Sequence, residues 1–138
     1  MTSELRVDNL KGSTTGGSIS VLSEGTSATT NLQQGLAKAW VNFDGTATNA
    51  ASRDSFNVSG MTDSSTGNYV VSFSNNMGNA NFSGVAVQGN NDASNPGLNG
   101  VITVGHTASS ASSIETGNTS ASNNDWAQIS SQYNGDLA

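Results

Sequence analysis

From Trp40 to Ala138 the chain is a succession of short runs in which apolar residues alternate with polar ones, each closed by Gly, Asn, Asp or Ser. Val41 and Phe43 alternate with Asn42 and Asp44. Phe56 and Val58 alternate with Asn57 and Ser59, and Tyr69, Val71 and Phe73 form a third set. In a fourth, Ala80, Phe82 and Ala86 face opposite Ser83, Val85 and Val87. Residues 101–104 are more continuously apolar, 109–116 are weak with only Ala111 and Ile114, and 126–133 set Ala127, Ile129 and Tyr133 on one face. A period of two is the mark of half-buried strands. Residues 63–68 predict a hairpin between the Phe56 and Tyr69 runs, and 75–79 return the chain to the Phe82 run. Residues 89–97 form the longest loop and hold the single proline, Pro96, where no ladder donor is needed. Short strands at this spacing predict a mainly β fold, an antiparallel β-sandwich of jelly-roll-like type, over residues 41–138.

Ahead of these runs the composition differs. Residues 4–10 set Leu5 and Val7 on one face and Arg6 and Asp8 on the other, a short strand signal. A Gly/Ser/Thr stretch follows, then a second short strand at 19–22. Gly16 and Gly17 are placed to turn a hairpin between the two. Two strands alone are marginal in water. Residues 1–28 are therefore expected to be an extended arm, ordered when docked on a partner; the alternative is a mobile tail. Residues 29–40 carry the one helix pattern. Thr30 and Gln33 fit a capping box, and Leu32, Leu36 and Ala39 fall at i, i+4 and i+7 on one stripe. Gly35 costs roughly 1 kcal/mol against Ala inside a helix, and a helix this short is not stable alone. Gly35, Ala37 and Ala39 allow a neighbour to approach closely. Two roles fit: a plug for the open end of the chain's own sandwich, or three copies packed around an axis.

Leu, Ile, Val and Phe make up 25 of 138 residues, below the level of about 20% that accompanies disorder. Disorder also calls for high net charge, and only 10% of these residues are charged. The core of one copy is thin against the entropy of ordering its backbone, so part of the apolar surface is expected to be buried between subunits or against a larger assembly. There is no cysteine, which excludes disulfides and thiolate metal sites. A net charge of −6 with four basic residues, Arg6, Lys11, Lys38 and Arg53, argues against nucleic acid as a partner. No apolar run approaches the ~20 residues of a membrane span, and the N-terminus lacks the basic start and apolar core of a secretory signal.

Catalytic and metal-binding patterns are weak. His106 is the single histidine and ends a β run; no Gly-x-Ser-x-Gly elbow accompanies it. The acids Asp44, Asp54, Asp63, Asp92, Glu115, Asp125 and Asp136 are scattered near turns, not paired as glycan hydrolysis requires. Asn90, Asn91, Asp92 and Asn95 offer oxygens to calcium but lack the spacing and closing Glu of an EF-hand loop. Triplets at Asn57, Asn81 and Asn118 match the glycosylation pattern by chance in so Asn/Ser/Thr-rich a chain. No catalytic residue, metal or cofactor is expected. Trp126, flanked by Asn123, Asn124, Asp125 and Gln128, has the composition of a sugar contact, an indole platform with amides around it, and Asn90 and Asn91 are further candidate contacts. The competing reading is a Trp that closes the core. Binding residues concentrate on loops, here 62–68, 89–99 and 117–125.

One stretch adds a resemblance. Asn31-Leu-Gln-Gln-Gly-Leu-Ala-Lys-Ala-Trp-Val-Asn-Phe-Asp-Gly45, then Arg53-Asp-Ser-Phe-Asn-Val-Ser59, the close Asn134-Gly-Asp-Leu-Ala138 and, near the start, Leu5-Arg-Val-Asp-Asn-Leu-Lys11 resemble a family of small virion structural proteins. These are tail-fibre-like proteins of marine and cyanobacterial tailed phages. The resemblance is strongest over 31–59 and departs over 60–130. It implies a protein of the phage particle, made in the bacterial cytoplasm and not an enzyme. It further implies an arm docking on tail or capsid proteins through Leu5, Arg6, Val7 and Leu10, a homotrimer packed through Leu32, Gly35, Leu36 and Ala39, and an outward β domain that contacts a host surface glycan. Alternatives are a capsid decoration or head-fibre protein, and a glycan-binding or glycan-degrading tailspike domain, the last usually longer and repeat-built.

Overall fold

A computed structural model describes residues 4–16, 18–22, 24–25, 27–90, 100–120 and 122–138. The chain divides into two units, residues 1–36 and 37–138.

Among its described residues the second unit holds eight strands: β3 (Ala39–Phe43), β4 (Ser52–Phe56), β5 (Val58–Ser65), β6 (Asn68–Phe73), β7 (Ser83–Gly89), β8 (Gly100–Ala108), β9 (Ala111–Asn118) and β10 (Gln128–Asn134). They form two four-stranded antiparallel sheets, ordered β4-β3-β10-β7 and β5-β6-β9-β8. The inner faces share one core. Alternation decides which side chains enter it: Ala39, Val41 and Phe43 from β3, Ile129 and Tyr133 from β10, Tyr69, Val71 and Phe73 from β6, and Ile114 from β9. Rings lock the layers edge to face, Phe43 on Tyr69 at 5.0 Å and Phe73 on Tyr133 at 5.2 Å, each such pair contributing about 0.5–1.5 kcal/mol beyond burial. Hydroxyls complete the core. Ser112 and Thr116 of β9 are buried; Thr116 Oγ1 donates to the Asn124 carbonyl at 2.7 Å and Ser112 Oγ to that of Gly105 at 3.3 Å.

The antiparallel sandwich is as the alternation predicts, but its strand order is not that of a jelly roll, because three connections, β3–β4, β5–β6 and β8–β9, are hairpins within a sheet. The predicted Phe56–Val58 run is two strands in two sheets. Asn57 between them has φ 56°, in the left-handed region that Asn tolerates better than most residues. Its amide holds the crossing. Nδ2 donates to the Lys38 carbonyl at 2.9 Å and to that of Asn75 at 3.0 Å, while Oδ1 accepts from Asn75 N at 2.7 Å. The following hairpin turns more tightly than the predicted 63–68, at Thr66–Gly67, with Gly67 at φ 70°.

Arg53 fastens edge strand β4. Its guanidinium donates to the carbonyls of Phe43 at 2.9 Å and Ala127 at 2.5 Å and pairs with Asp44 Oδ2 at 2.9 Å. The Thr46 hydroxyl, and to a smaller extent Arg53, hold the Asp44 carboxyl below its ordinary 3.8, against the opposing effect of burial.

The first unit contains β1 (Ser20–Leu22), paired antiparallel to β2 (Thr29–Asn31), and α1 (Leu32–Gly35). The hairpin predicted between 4–10 and 19–22 does not form: 4–10 is in no strand, and β1 pairs with the segment that the sequence assigns to a helix. The helix is four residues long, not 29–40. Its cap is Asn31, whose Oδ1 accepts from Gln33 N at 2.9 Å, in place of the Thr30–Gln33 box. The chain leaves it at Leu36, in extended conformation. Ala39 therefore lies on no helical stripe. It is fully buried in β3, because pairing with β10 and the core contact of alternate residues outweigh the weak helix pattern.

Candidate binding surfaces

Each unit offers a distinct surface. In the first, none of the described residues is buried. Leu5, Val7 and Leu10 are 76%, 55% and 55% exposed. Arg6 pairs with Glu4 at 2.8 Å, both largely exposed, a contact of small energetic consequence. Val21, Thr30, Asn31, Leu32, Gly35 and Leu36 line a shallow depression of about 260 Å³. A Cβ at Gly35 would meet nothing within 4 Å, so within its own chain this glycine permits no close approach. Of the four residues expected at a three-fold contact, Leu32, Gly35 and Leu36 share one surface and Ala39 does not.

In the sandwich, the outward face of the first sheet carries an apolar row that the alternation contains but sequence reasoning did not single out. Register places Phe56, Trp40, Gln132 and Val85 across the four strands, with Asp54, Asn42, Ser130 and Val87 in the next row. Phe56, Val85 and Val87 are more than half exposed. A shallow groove of about 300 Å³ runs over Ser130, between Trp40 and Asn42 on one side and Val85 and Val87 on the other. The signal was present in Val85 and Val87, which alternate on the face opposite Ala86. Only register shows that Trp40 and Phe56 join them.

The polar loops behave differently. Trp126 is half-buried and packs against the core, with its indole nitrogen buried and without a hydrogen-bond partner. Its loop is bound to the β9 end: Asn124 N donates to the Thr116 carbonyl at 3.1 Å, and Asp125 Oδ1 accepts from Gly67 N at 2.6 Å and from the Tyr69 hydroxyl at 2.7 Å. Burial first, and then this carboxylate, push the Tyr69 phenol well above its ordinary range. Trp126 thus fits the core-closing reading better than the sugar platform. Asn124 and Asn90 are exposed; Asn91, and the rest of the oxygen-rich stretch with it, lies outside the described residues. Among the described residues no three His, Cys, Asp or Glu side chains converge as a metal site, and no helix is long and apolar enough to cross a membrane.

His106 sits on β8 with its ring 4.1 Å from Phe82 and 6.0 Å from Tyr133. Nδ1 lies 3.1 Å from the Oγ of buried Ser112. Gly84 faces the ring edge, where a Cβ would come within 2.6 Å of Cε1. Burial pushes the imidazole below its ordinary 6.5. The unfolded chain then binds a proton more readily than the folded one. The stability contributed by the neutral ring is complete above about pH 6.5 and is lost as pH falls through the lower folded value. Thermal unfolding is expected at a lower temperature at about pH 5 than at about pH 7, with the slope flattened in His106→Gln. A slope unchanged in that variant would assign the effect elsewhere.

The chain matches no protein-family model, and no curated protein and no solved structure matches it significantly. The class that the fold itself defines is an antiparallel β-sandwich with a separate N-terminal unit.

Proposed function

We propose that the protein is a structural component of a phage particle, tail-fibre-like, whose N-terminal unit docks on a neighbouring virion protein while the sandwich faces outward. The observation that supports this reading is the apolar surface of the first unit. Leu5, Val7, Leu10, Leu22 and Leu36 are each more than half exposed, and no described residue of that unit is buried. Apolar surface without a core of its own gains free energy by covering against another protein. The resemblance gives that protein its class, a component of the tail or the capsid. Association of three copies, also implied by the resemblance, draws on Leu32 and Leu36 of the same surface.

The test is incorporation. In phage carrying the double variant Leu5→Asp and Val7→Asp, purified particles are expected to lack the protein, while the isolated variant unfolds at the wild-type temperature because both positions are exposed. Incorporation of the variant at wild-type copy number counts against the arm as the docking element. Absence of the wild-type protein from particles removes the virion reading altogether. In particles that contain it, few copies at the tail identify a fibre, and many over the head identify a decoration protein.

A further inference from the structure

Each of the two sheets of the sandwich has two edges, and an edge strand offers a row of unpaired N–H and C=O groups to another strand. Three of the four edges are protected. β4 carries Arg53 and Asp54, and its ladder with β3 shifts register between Asn42 and Phe43. β5 carries Asp63 and two shifts, at Val58/Gly60 and Asp63/Ser65. β8 shifts between Gly105 and Ala108. Charges and bulges of this kind disfavour further pairing.

β7 has neither. Its seven residues, Ser-Gly-Val-Ala-Val-Gln-Gly, include no charge and no proline. Its ladder with β10 runs without a shift from Gln128↔Gly89 to Asn134↔Ser83. On its other side it forms no ladder with a described strand; β8 of the opposite layer runs close beside it, with His106 against Gly84, and Gln88 Nε2 donates to the Gly117 carbonyl at 2.7 Å. Val85 and Val87 stand on the outward face, 62% and 65% exposed.

We propose that β7 is a self-association edge: two copies of the chain pair β7 to β7, antiparallel across a two-fold axis, and join their four-stranded sheets into one of eight strands. The strand is close to its own complement. With the axis at Ala86, Val85 of each copy stands opposite Val87 of the other, Gly84 opposite Gln88, and Ser83 opposite Gly89. A two-fold contact demands such self-complementarity, and cross-strand pairs of β-branched residues are favourable. No pair is charged, which matters for chains of net charge −6 whose copies otherwise repel. Size also favours a second copy over a large partner. A seven-residue ladder is roughly 24 Å long, and with two valines from each side it stands near the low end of specific interfaces, about 1,200 Å² in total. The dimer is therefore reversible. The residues of the contact all belong to the sandwich.

Sedimentation velocity of the full chain across the micromolar range tests this. A concentration-dependent two-copy species is expected for wild type. Val85→Lys and Val87→Lys, at exposed positions, are each expected to weaken it about tenfold or more while leaving the unfolding temperature unchanged. Amide exchange in 83–89 is expected to slow with concentration in wild type only. A two-copy species that persists in both lysine variants overturns the proposal. So does β7 exchange in wild type that is indifferent to concentration, whatever the variants do.

Discussion

Asn57→Ala is expected to destabilise the sandwich by about 3–4 kcal/mol, a large share of the ~5–15 kcal/mol that holds a typical domain together. Two causes add. A non-glycine residue with φ near 56° and no side-chain amide to compensate costs ~1–2 kcal/mol. The lost bonds to Lys38 and Asn75 contribute about 1 kcal/mol each, more where Asn75 N is left without an acceptor. Asn57→Gly separates the two causes. It keeps the backbone conformation without strain but makes none of the amide bonds, and is expected to recover about 1 kcal/mol of the loss. Urea unfolding followed by the fluorescence of Trp40 and Trp126 measures both. An alanine variant with the wild-type midpoint would show that the crossing between the sheets is held elsewhere.

Asp125→Ala is the second large effect, about 3 kcal/mol. Its carboxylate is the acceptor for a backbone N–H at the β5–β6 turn and for the Tyr69 hydroxyl inside the core. Removing it orphans Gly67 N outright, and leaves the phenol only the weaker bond to the Gly45 carbonyl at 3.2 Å. A buried donor without a partner costs about 1–3 kcal/mol. The turn is tied to β9 by Thr116 N, which donates to the Gly67 carbonyl at 2.7 Å. Tyr69→Phe removes the phenol's bonds to Asp125 and to the Gly45 carbonyl but leaves Gly67 N its acceptor, and is expected to cost less. The double variant is expected to cost clearly less than the sum of the singles, since both delete the same contact. Additive losses would mean that the two residues act separately.

These two residues also mark where sequence reading stopped. Alternation located Val41 and Phe43, Tyr69, Val71 and Phe73, and Ile129 and Tyr133, because one residue in two on those strands enters the core. It broke down at Asn57, where the pattern continues but the backbone changes hand; nothing in Phe-Asn-Val announces a positive φ. It undervalued β9. Ser112 and Thr116 count as polar in any binary pattern, yet they face the core, with partners at Gly105 and Asn124 that only the fold brings near. The helix over 29–40 failed for a related reason. Leu32, Leu36 and Ala39 fit a period near 3.6, while Ala39, Val41 and Phe43 fit a period of two. The second reading wins because β10 and β4 flank β3 on both sides. Of the surfaces, the exposed apolar side chains of the arm were legible from Leu5 and Val7. The row from Phe56 through Trp40 to Val85 was not, since it exists only once four separate runs are set in register.

The hydroxyls of the core have a thermal consequence. Where Ser112 and Thr116 occupy core positions, unfolding exposes polar atoms in place of methyl groups. Apolar hydration raises the heat capacity of the unfolded chain and polar hydration lowers it. A core filled in this way therefore unfolds with a smaller heat-capacity increment than an all-aliphatic core of the same length. The curve of stability against temperature is correspondingly broad and shallow, so that cooling weakens the fold less than it would a molecule held by apolar burial alone.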